Sequence, residues 1–137
     1  MPTTTQLFDK QLGILLRDMH TITENTSVHE MVTDIKQRYK LRHLLPNNYL
    51  VTNFTIHVSN PYKDKIMNQD AGFFLDSDIS KCDIDDLDDY SGDDIKGIVS
   101  ILKNIWLDAS DDTKGKLWMR MKILVKLCEK WESESDS

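Results

Sequence analysis

The chain has 137 residues, of which 39% are hydrophobic and 29% charged, and its formal net charge is −6. This length suits one domain with a single core, and the hydrophobic content excludes a fully disordered chain. No apolar run reaches the roughly eighteen residues of a membrane span, and the N-terminus lacks the basic and apolar regions of a secretory signal. We therefore expect a soluble, intracellular protein that is not secreted.

The first forty residues predict two amphipathic helices joined by a short polar turn. Apolar side chains recur at helical spacing over residues 5–21, which predicts the first helix. Residues 27–30 match a capping box, in which Ser27 and Glu30 satisfy backbone donors, so the second helix should run from there to about Lys40. Its predicted buried stripe consists of Val28, Met31, Val32, Ile35 and Tyr39. The short turn favours an antiparallel helical hairpin.

After a break at Pro46, the middle of the chain is compatible with a strand or a helix. Phe54, Ile56 and Val58 alternate as in a strand, and β-branched residues favour that reading. The same segment also has apolar residues at the three- and four-residue spacing of a helix, namely Val51, Phe54, Val58, Tyr62 and Ile66. A lone strand would leave its backbone groups unpaired, because no second convincing strand is predicted. The sequence therefore favours a helix that bends or restarts at Pro61.

The next segment combines the end of that helix with a strongly acidic run. Gly72 is expected to break the helix, and the aromatic pair that follows it should return the chain to the core. Residues 76–94, here called the acidic run, hold nine aspartates and one lysine, while the remaining residues hold 16 Lys+Arg against 14 Asp+Glu. The excess negative charge is therefore local, and we expect a mobile acidic loop. Its interaction candidates are Asp83, Asp85, Asp86, Asp88 and Asp89.

Two further helices are predicted beyond the acidic run, and they are expected to form a C-terminal hairpin. The apolar face of the first comprises Ile95, Ile98, Val99, Leu102, Ile105 and Trp106. Residues 108–113 form the turn, with Ser110 as the N-cap of the last helix. That helix should bury a seam made of Leu117, Met121, Leu124, Cys128 and Trp131, widened by Trp118 and Val125. Residues 132–137 are predicted to be a frayed polar tail.

These elements predict an all-α fold, a single-domain bundle of about five helices that spans residues 1–137. Several stretches, at residues 58–66, 69–75, 105–106, 111–114 and 117–118 with the leucine-rich helix that follows, resemble uncharacterised small helical proteins encoded by large nucleocytoplasmic DNA viruses. The resemblance covers about half of the chain and contains no catalytic signature. It implies an all-helical fold in which the middle segment is helix, and an origin in a viral genome.

The aspartates of the acidic run raise the alternative of a low-affinity divalent-cation site, because hard cations bind carboxylate oxygens. The spacing does not match a calcium-binding EF-hand loop. If the loop begins at Asp76, the sixth position is Lys81, where glycine is needed, and the twelfth is Leu87, where glutamate is needed. We therefore predict no dedicated metal site.

The last helix carries the opposite charge. Residues 114–130 hold five lysines and one arginine, with Glu129 as the sole acidic residue. Lys122, Lys126 and Lys130 lie four residues apart and share one face, which makes them interaction candidates. The acidic run is therefore a candidate to mask this basic helix, or to mimic a polyanion. The net negative charge and the absence of a recognised module argue against nucleic-acid binding.

No arrangement of residues in the sequence indicates catalysis. His20, His29, His43 and His57 are scattered, and neither a glycine-rich phosphate loop nor a nucleophile elbow is present. We predict no catalytic residue and no cofactor. The tryptophans Trp118 and Trp131 lie on the predicted buried seam, but the same residue types also dominate protein interfaces, so both are interaction candidates.

The leading hypothesis from the sequence is a non-enzymatic protein–protein interaction or assembly protein that is virus-encoded. Its partner would be a viral or host protein, or a second copy of the chain, in the host cytoplasm, the nucleus or the virion. The alternatives are a regulator whose acidic loop masks the basic helix, and a low-affinity divalent-cation-binding protein.

Overall fold

The computed structural model describes residues 3–41, 48–70, 72–73 and 93–135, with only the backbone described at 93–96 and 135. Its elements in chain order are α1 (Thr4–Ile22), α2 (His29–Lys40), α3 (Tyr49–Phe54), a π-helical turn (Thr55–Ser59), α4 (Asn60–Met67), α5 (Asp93–Asp108) and α6 (Asp111–Ser135). All regular structure in these ranges is helical, so the predicted all-α fold is confirmed. The acidic run lies outside the described residues, except for the backbone that begins α5.

The first two helices form the predicted antiparallel hairpin. Near the start of α1 the carbonyl of Asp9 accepts a hydrogen bond from the Tyr39 hydroxyl near the end of α2. At the other end of the hairpin the rings of His20 and His29 lie 4.3 Å apart, centroid to centroid. The predicted stripe on α2 is buried at Val32 and Ile35, but Met31 is 37% exposed. The predicted burial of Met31 is therefore wrong, because this residue lies at the edge of the buried face of α2.

The predicted capping box at residues 27–30 is wrong. The helix α2 begins at His29, and its N-cap residue Val28 has helical dihedral angles and makes no side-chain cap hydrogen bond. An N-cap side chain reaches the helix donors when its own backbone is extended. A capping box is present instead at the start of α1, where the Thr3 hydroxyl accepts from the Gln6 amide at 3.1 Å and Gln6 Oε1 accepts from the Thr3 amide at 2.9 Å.

The middle segment, residues 49–67, is helical, so the helix that the sequence favoured over a strand is confirmed. Four of the five residues at helical intervals are fully buried, namely Val51, Phe54, Val58 and Ile66. Ile56, which the strand reading would place on the same face as Phe54 and Val58, is 55% exposed. The π-helical turn joins α3 to α4 without a break, since Phe54, Ser59 and Asn60 all have helical dihedral angles, and Pro61 is the second residue of α4. The helix therefore continues through the proline with a π-helical turn directly before it, and the predicted restart at Pro61 is wrong.

The C-terminal helices are present, but the predicted C-terminal hairpin is wrong in its packing. Among the described residues α6 packs chiefly against α1, and α5 chiefly against α2. The helices α5 and α6 meet near their connection, where the rings of Trp106 and Trp118 are 5.2 Å apart. Ser110 caps α6 as expected, since its hydroxyl accepts from the Thr113 amide at 3.2 Å.

The pairing of α6 with α1 is antiparallel and ends in polar contacts at both extremes. Arg120 Nε donates to Asp18 Oδ2 at 3.1 Å, and the Thr4 hydroxyl donates to Glu134 Oε1 at 2.7 Å. The second contact lies beyond the predicted end of the helix, and α6 continues to Ser135 rather than fraying at residue 132. The buried seam of α6 agrees with the prediction at Leu117, Trp118, Met121, Leu124, Val125 and Cys128, whereas Trp131 is half-buried.

Candidate interaction groove

A groove of about 270 Å³ lies along α6, beside the C-terminal end of α4. We call it the α6 groove. Its lining residues are Gln69, Gly115, Trp118, Met119, Lys122, Ile123 and Lys126. Six of them belong to α6, and Gln69 comes from the end of α4.

The helix spacing of α6 separates a buried face from the groove face. Gly115, Met119, Lys122 and Lys126 follow each other by four, three and four residues, so they form one stripe along the helix. Trp118 borders this stripe from the buried side and is only 5% exposed. One face of α6 is therefore buried in the core, and a second face lines the groove.

The end of the groove nearer the α6 N-terminus is apolar and open. A Cβ atom added at Gly115 would have no heavy-atom neighbour within 4 Å. One turn further on, Met119 is 48% exposed, although it is a large apolar side chain. Glycine inside a helix costs roughly 1 kcal/mol relative to alanine, so nothing in the packing of the described residues explains Gly115. This end combines free space with uncovered apolar surface.

Gln69 enters the groove from a helix end with a left-handed backbone. The amide of Asp70 donates to the carbonyl of Lys65 at 2.8 Å and that of Gln69 to Ile66 at 3.1 Å, which is a Schellman motif. Gln69 occupies the left-handed position of this motif with φ 54°, where glycine is usual. Its side-chain Oε1 accepts a hydrogen bond of 2.6 Å from Lys122 Nζ. The helix end thus positions a neutral acceptor beside a groove lysine.

The basic residues of α6 do not form one continuous charged surface. Arg120 is ion-paired with Asp18, and the Lys114 ammonium lies 5.0 Å from the centroid of the Trp106 ring. Lys63 Nζ lies 3.8 Å from Glu129 Oε1 and offsets the charge of this one acidic residue of α6. Within the groove, Lys122 contacts the neutral Gln69 and Lys126 is exposed. The positive charge at the groove therefore comes from these two lysines.

The structure brings together three of the residues predicted from the sequence. Trp118, Lys122 and Lys126 all line the α6 groove, whereas Lys130 is exposed beyond it and Trp131 packs against the core. The predicted candidates Asp83, Asp85, Asp86, Asp88 and Asp89 lie outside the described residues, so the cation site and the masking loop stay predictions. Sequence reasoning missed Gln69, Gly115 and Ile123. An interior helical glycine was a signal for Gly115, but no local signal linked Gln69 to α6.

A larger concavity, of about 420 Å³, lies between α1 and α2. Its lining includes Asp9, Lys10 and Arg17, so charges of both signs are interspersed. Tyr39 also lines it, and its hydroxyl donates to the Asp9 carbonyl. This concavity follows from hairpin packing, so we assign the candidate site to the α6 groove.

Metal-binding and nucleophilic groups give no indication of catalysis in the described part of the chain. No group of three or more histidine, cysteine or acidic side chains converges there in a way that would hold a metal ion. The His20 and His29 rings are neighbours, and the His29 Nδ1 atom lies 3.3 Å from the Thr23 hydroxyl. Burial raises the pKa of the Cys128 thiol to about 12, so this thiol stays protonated at neutral pH and is a poor nucleophile.

Within residues 3–41, 48–70, 72–73 and 93–135, no helix has the length and apolar character needed to cross a membrane. Protein-family models, curated proteins and solved structures gave no match to this chain.

Proposed function

We propose that the protein is a non-enzymatic interaction or assembly protein that binds a protein partner through the α6 groove. The observation that carries this proposal is the combination of open apolar surface at Gly115 and Met119 with two lysines one turn apart. Methionine and aromatic side chains are typical anchors of protein interfaces, and charged rims steer association. The groove therefore has the composition of a small protein-binding site.

The proposal includes a viral origin and a site of action in the host cytoplasm, the nucleus or the virion. It is supported by the sequence resemblance to small proteins of large nucleocytoplasmic DNA viruses, which includes residues 69–75, 111–114 and 117–118 near the groove. The partner is then a viral or host protein, or a second copy of the chain.

Site-specific photo-crosslinking tests the proposal. A photoreactive residue at Met119 should give one adduct of defined mass in infected cells, and the mass will distinguish a foreign partner from a second copy of the chain. The same residue at Gln37, which is exposed on α2, is the matched control and should give no such adduct. Gly115→Trp, which fills the open end of the groove, should abolish the Met119 adduct. Equal adducts from both positions, or turnover of a substrate by the purified protein, would contradict the proposal.

A second candidate function is a regulator whose acidic run masks the groove lysines until a partner displaces it. The observation that favours it is that nine aspartates begin seven residues after Gln69, which itself contacts Lys122. Exposed charge pairs contribute about 0–1 kcal/mol each and weaken with salt. Trypsin should therefore cleave at Lys126 and Lys130 faster as ionic strength rises, and less so after the aspartates are replaced by asparagine. A cleavage rate that does not depend on salt excludes masking and leaves the interaction proposal intact.

A further inference from the structure

We infer that the α6 groove accepts a bipartite peptide segment of its partner, apolar at one end and acidic at the other. This inference rests on the proposed function and specifies the chemistry of the partner. Three features of the groove carry it, namely an open apolar end, a pair of positioned lysines, and the direction in which charge changes along α6.

The apolar end can receive a bulky side chain of the partner. Space above Gly115 is open, and Met119 and Ile123 supply apolar surface beside it. The partner's side chain would lie over the glycine backbone and contact the methionine one turn away. Burial of one large apolar side chain corresponds to roughly tenfold to hundredfold in the dissociation constant. This end therefore discriminates between acidic segments with and without such an anchor.

The basic end fits a pair of carboxylates. Four residues of helix correspond to a rise of about 6 Å, so Lys122 and Lys126 are separated by about one turn. Lys122 already donates to Gln69, whose amide orients the ammonium group without neutralising it. An ammonium group has three donors, so the groove lysine retains capacity for a carboxylate. The left-handed backbone of Gln69 is the feature that places this acceptor.

The charge pattern of α6 sets the orientation of the segment. Exposed Asp111 and Asp112 lie one turn before Gly115, while Lys122 and Lys126 follow it. Lys114 and the exposed Lys116 flank Gly115 and offset these two aspartates, so the first end has little net charge, whereas the lysine pair attracts carboxylates of a ligand at the second end. The apolar anchor is therefore directed to Gly115 and the acidic residues to Lys126.

The same geometry disfavours a nucleic acid as the ligand. Affinity for a phosphate backbone grows with the number of cations that contact it. Arg120 is directed to Asp18, and Lys114 lies over the Trp106 ring, so neither joins the two groove lysines. A two-lysine site with an apolar end is matched to an acidic peptide.

Binding of labelled peptides to the full-length chain, followed by fluorescence anisotropy, tests the inference. One probe is a short acidic peptide with two leucines near one end, the second has both leucines replaced by serine, and the third is single-stranded DNA of equal charge. We expect the leucine peptide to bind at least about tenfold more tightly than the serine peptide. Equal binding of the two peptides, or tighter binding of the DNA, overturns the inference.

Variants then locate the binding site. Gly115→Trp and the double reversal Lys122→Glu with Lys126→Glu should each weaken binding of the leucine peptide by about tenfold or more. The matched control reverses Lys10 and Lys40, which are exposed on α1 and α2 and change the net charge equally. Equal weakening by the control overturns the inference, because the effect would then be one of net charge. Weak binding of the leucine peptide by the unsubstituted chain, when the Met119 position still gives its adduct, overturns the bipartite inference alone. Absence of a Met119 adduct in a chain with no other substitution overturns the proposed function.

Discussion

Gly13 on α1 and Gly115 on α6 are both interior residues of helices, yet their surroundings are opposite. A Cβ atom added at Gly13 would lie 2.5 Å from the Tyr39 hydroxyl oxygen, because α2 approaches α1 closely there. The corresponding atom at Gly115 would meet nothing within 4 Å. The glycine of α1 therefore serves the packing of the hairpin, whereas the glycine of α6 leaves surface open to a partner. The same residue type therefore permits close helix packing at one position and leaves a binding surface open at the other.

The largest expected effect comes from closing the space at Gly13. Gly13→Ala forces the Tyr39 ring to move, since its Cζ would also lie 2.9 Å from the new methyl group, and the hydroxyl would leave the Asp9 carbonyl. Overpacking costs about 1–3 kcal/mol and the lost hydrogen bond about 0.5–1.5 kcal/mol, which together exceed the gain in helix propensity of about 1 kcal/mol. We expect a net loss in the free energy of unfolding, measured by urea denaturation. In a Tyr39→Leu background the same change should cost less, and equal costs in both backgrounds would contradict contact with Tyr39 as the cause.

The reciprocal change at Gly115 should have the opposite sign. Gly115→Ala adds a methyl group where no atom is displaced, so the helix propensity is gained without strain. We expect the free energy of unfolding to rise by about 0.5–1 kcal/mol, measured in the same urea titration. A loss of stability at this position would show that the groove is filled in the protein in solution. It would also remove the contrast with Gly13.

A smaller effect is expected at Gln69, which links α4 to the open face of α6. Gln69→Gly should relieve a left-handed conformation that costs an ordinary residue about 1–2 kcal/mol. It also removes the bond to Lys122, worth about 0.5–1.5 kcal/mol, so the two effects largely cancel and the net gain should be about 0.5 kcal/mol. Gln69→Ala keeps the strain, loses the same bond, and should be destabilising. Identical denaturation midpoints for the two variants would mean that the backbone stores no strain there.

The sequence predicted the helices far better than it predicted their partners. Periodic apolar residues identified the buried faces of α1 and α6, because a helical repeat records which side leaves water. The same repeat contains no information on which helix covers that side, so α6 was expected against α5 and instead packs on α1. The capping box at residues 27–30 failed for a related reason. Its side chains were suitable, but the backbone enters α2 already helical at Val28.

The candidate site could be predicted only in the part that lies on one helix. Four-residue spacing placed Lys122 and Lys126 on a common face, and the helical register also placed Trp118 beside it. Gln69 comes from another helix, and its contact depends on a left-handed residue at the end of α4. Sequence spacing does not encode such an approach between distant segments. The contribution of Gln69 to the groove was therefore not predicted.

The smallest effect tests the α1–α2 contact at its other end, where the His20 and His29 rings meet. Partial burial lowers the pKa of His20 below its usual value of 6.5, and the positive charges of Lys36, His29 and Lys40 act in the same direction, while Glu24 opposes them. Because the folded state disfavours the protonated ring, the unfolded state binds more protons as the pH falls through 6.5. Stability should therefore be complete above this pH and decline below it, until the pH passes the pKa of the folded state.

Urea titrations between pH 7.5 and pH 5 on the intact chain measure this decline, and an NMR titration of the His20 ring gives its pKa directly. His20→Gln should flatten the pH dependence in this window. Lys36→Gln should raise the pKa of His20 and make the decline shallower, because one of the charges that opposes protonation is removed. A pKa at or above 6.5 in the wild-type chain would show that the helix ends are apart in solution. The close contact of α1 with α2 would then be confined to the end that contains Gly13 and Tyr39.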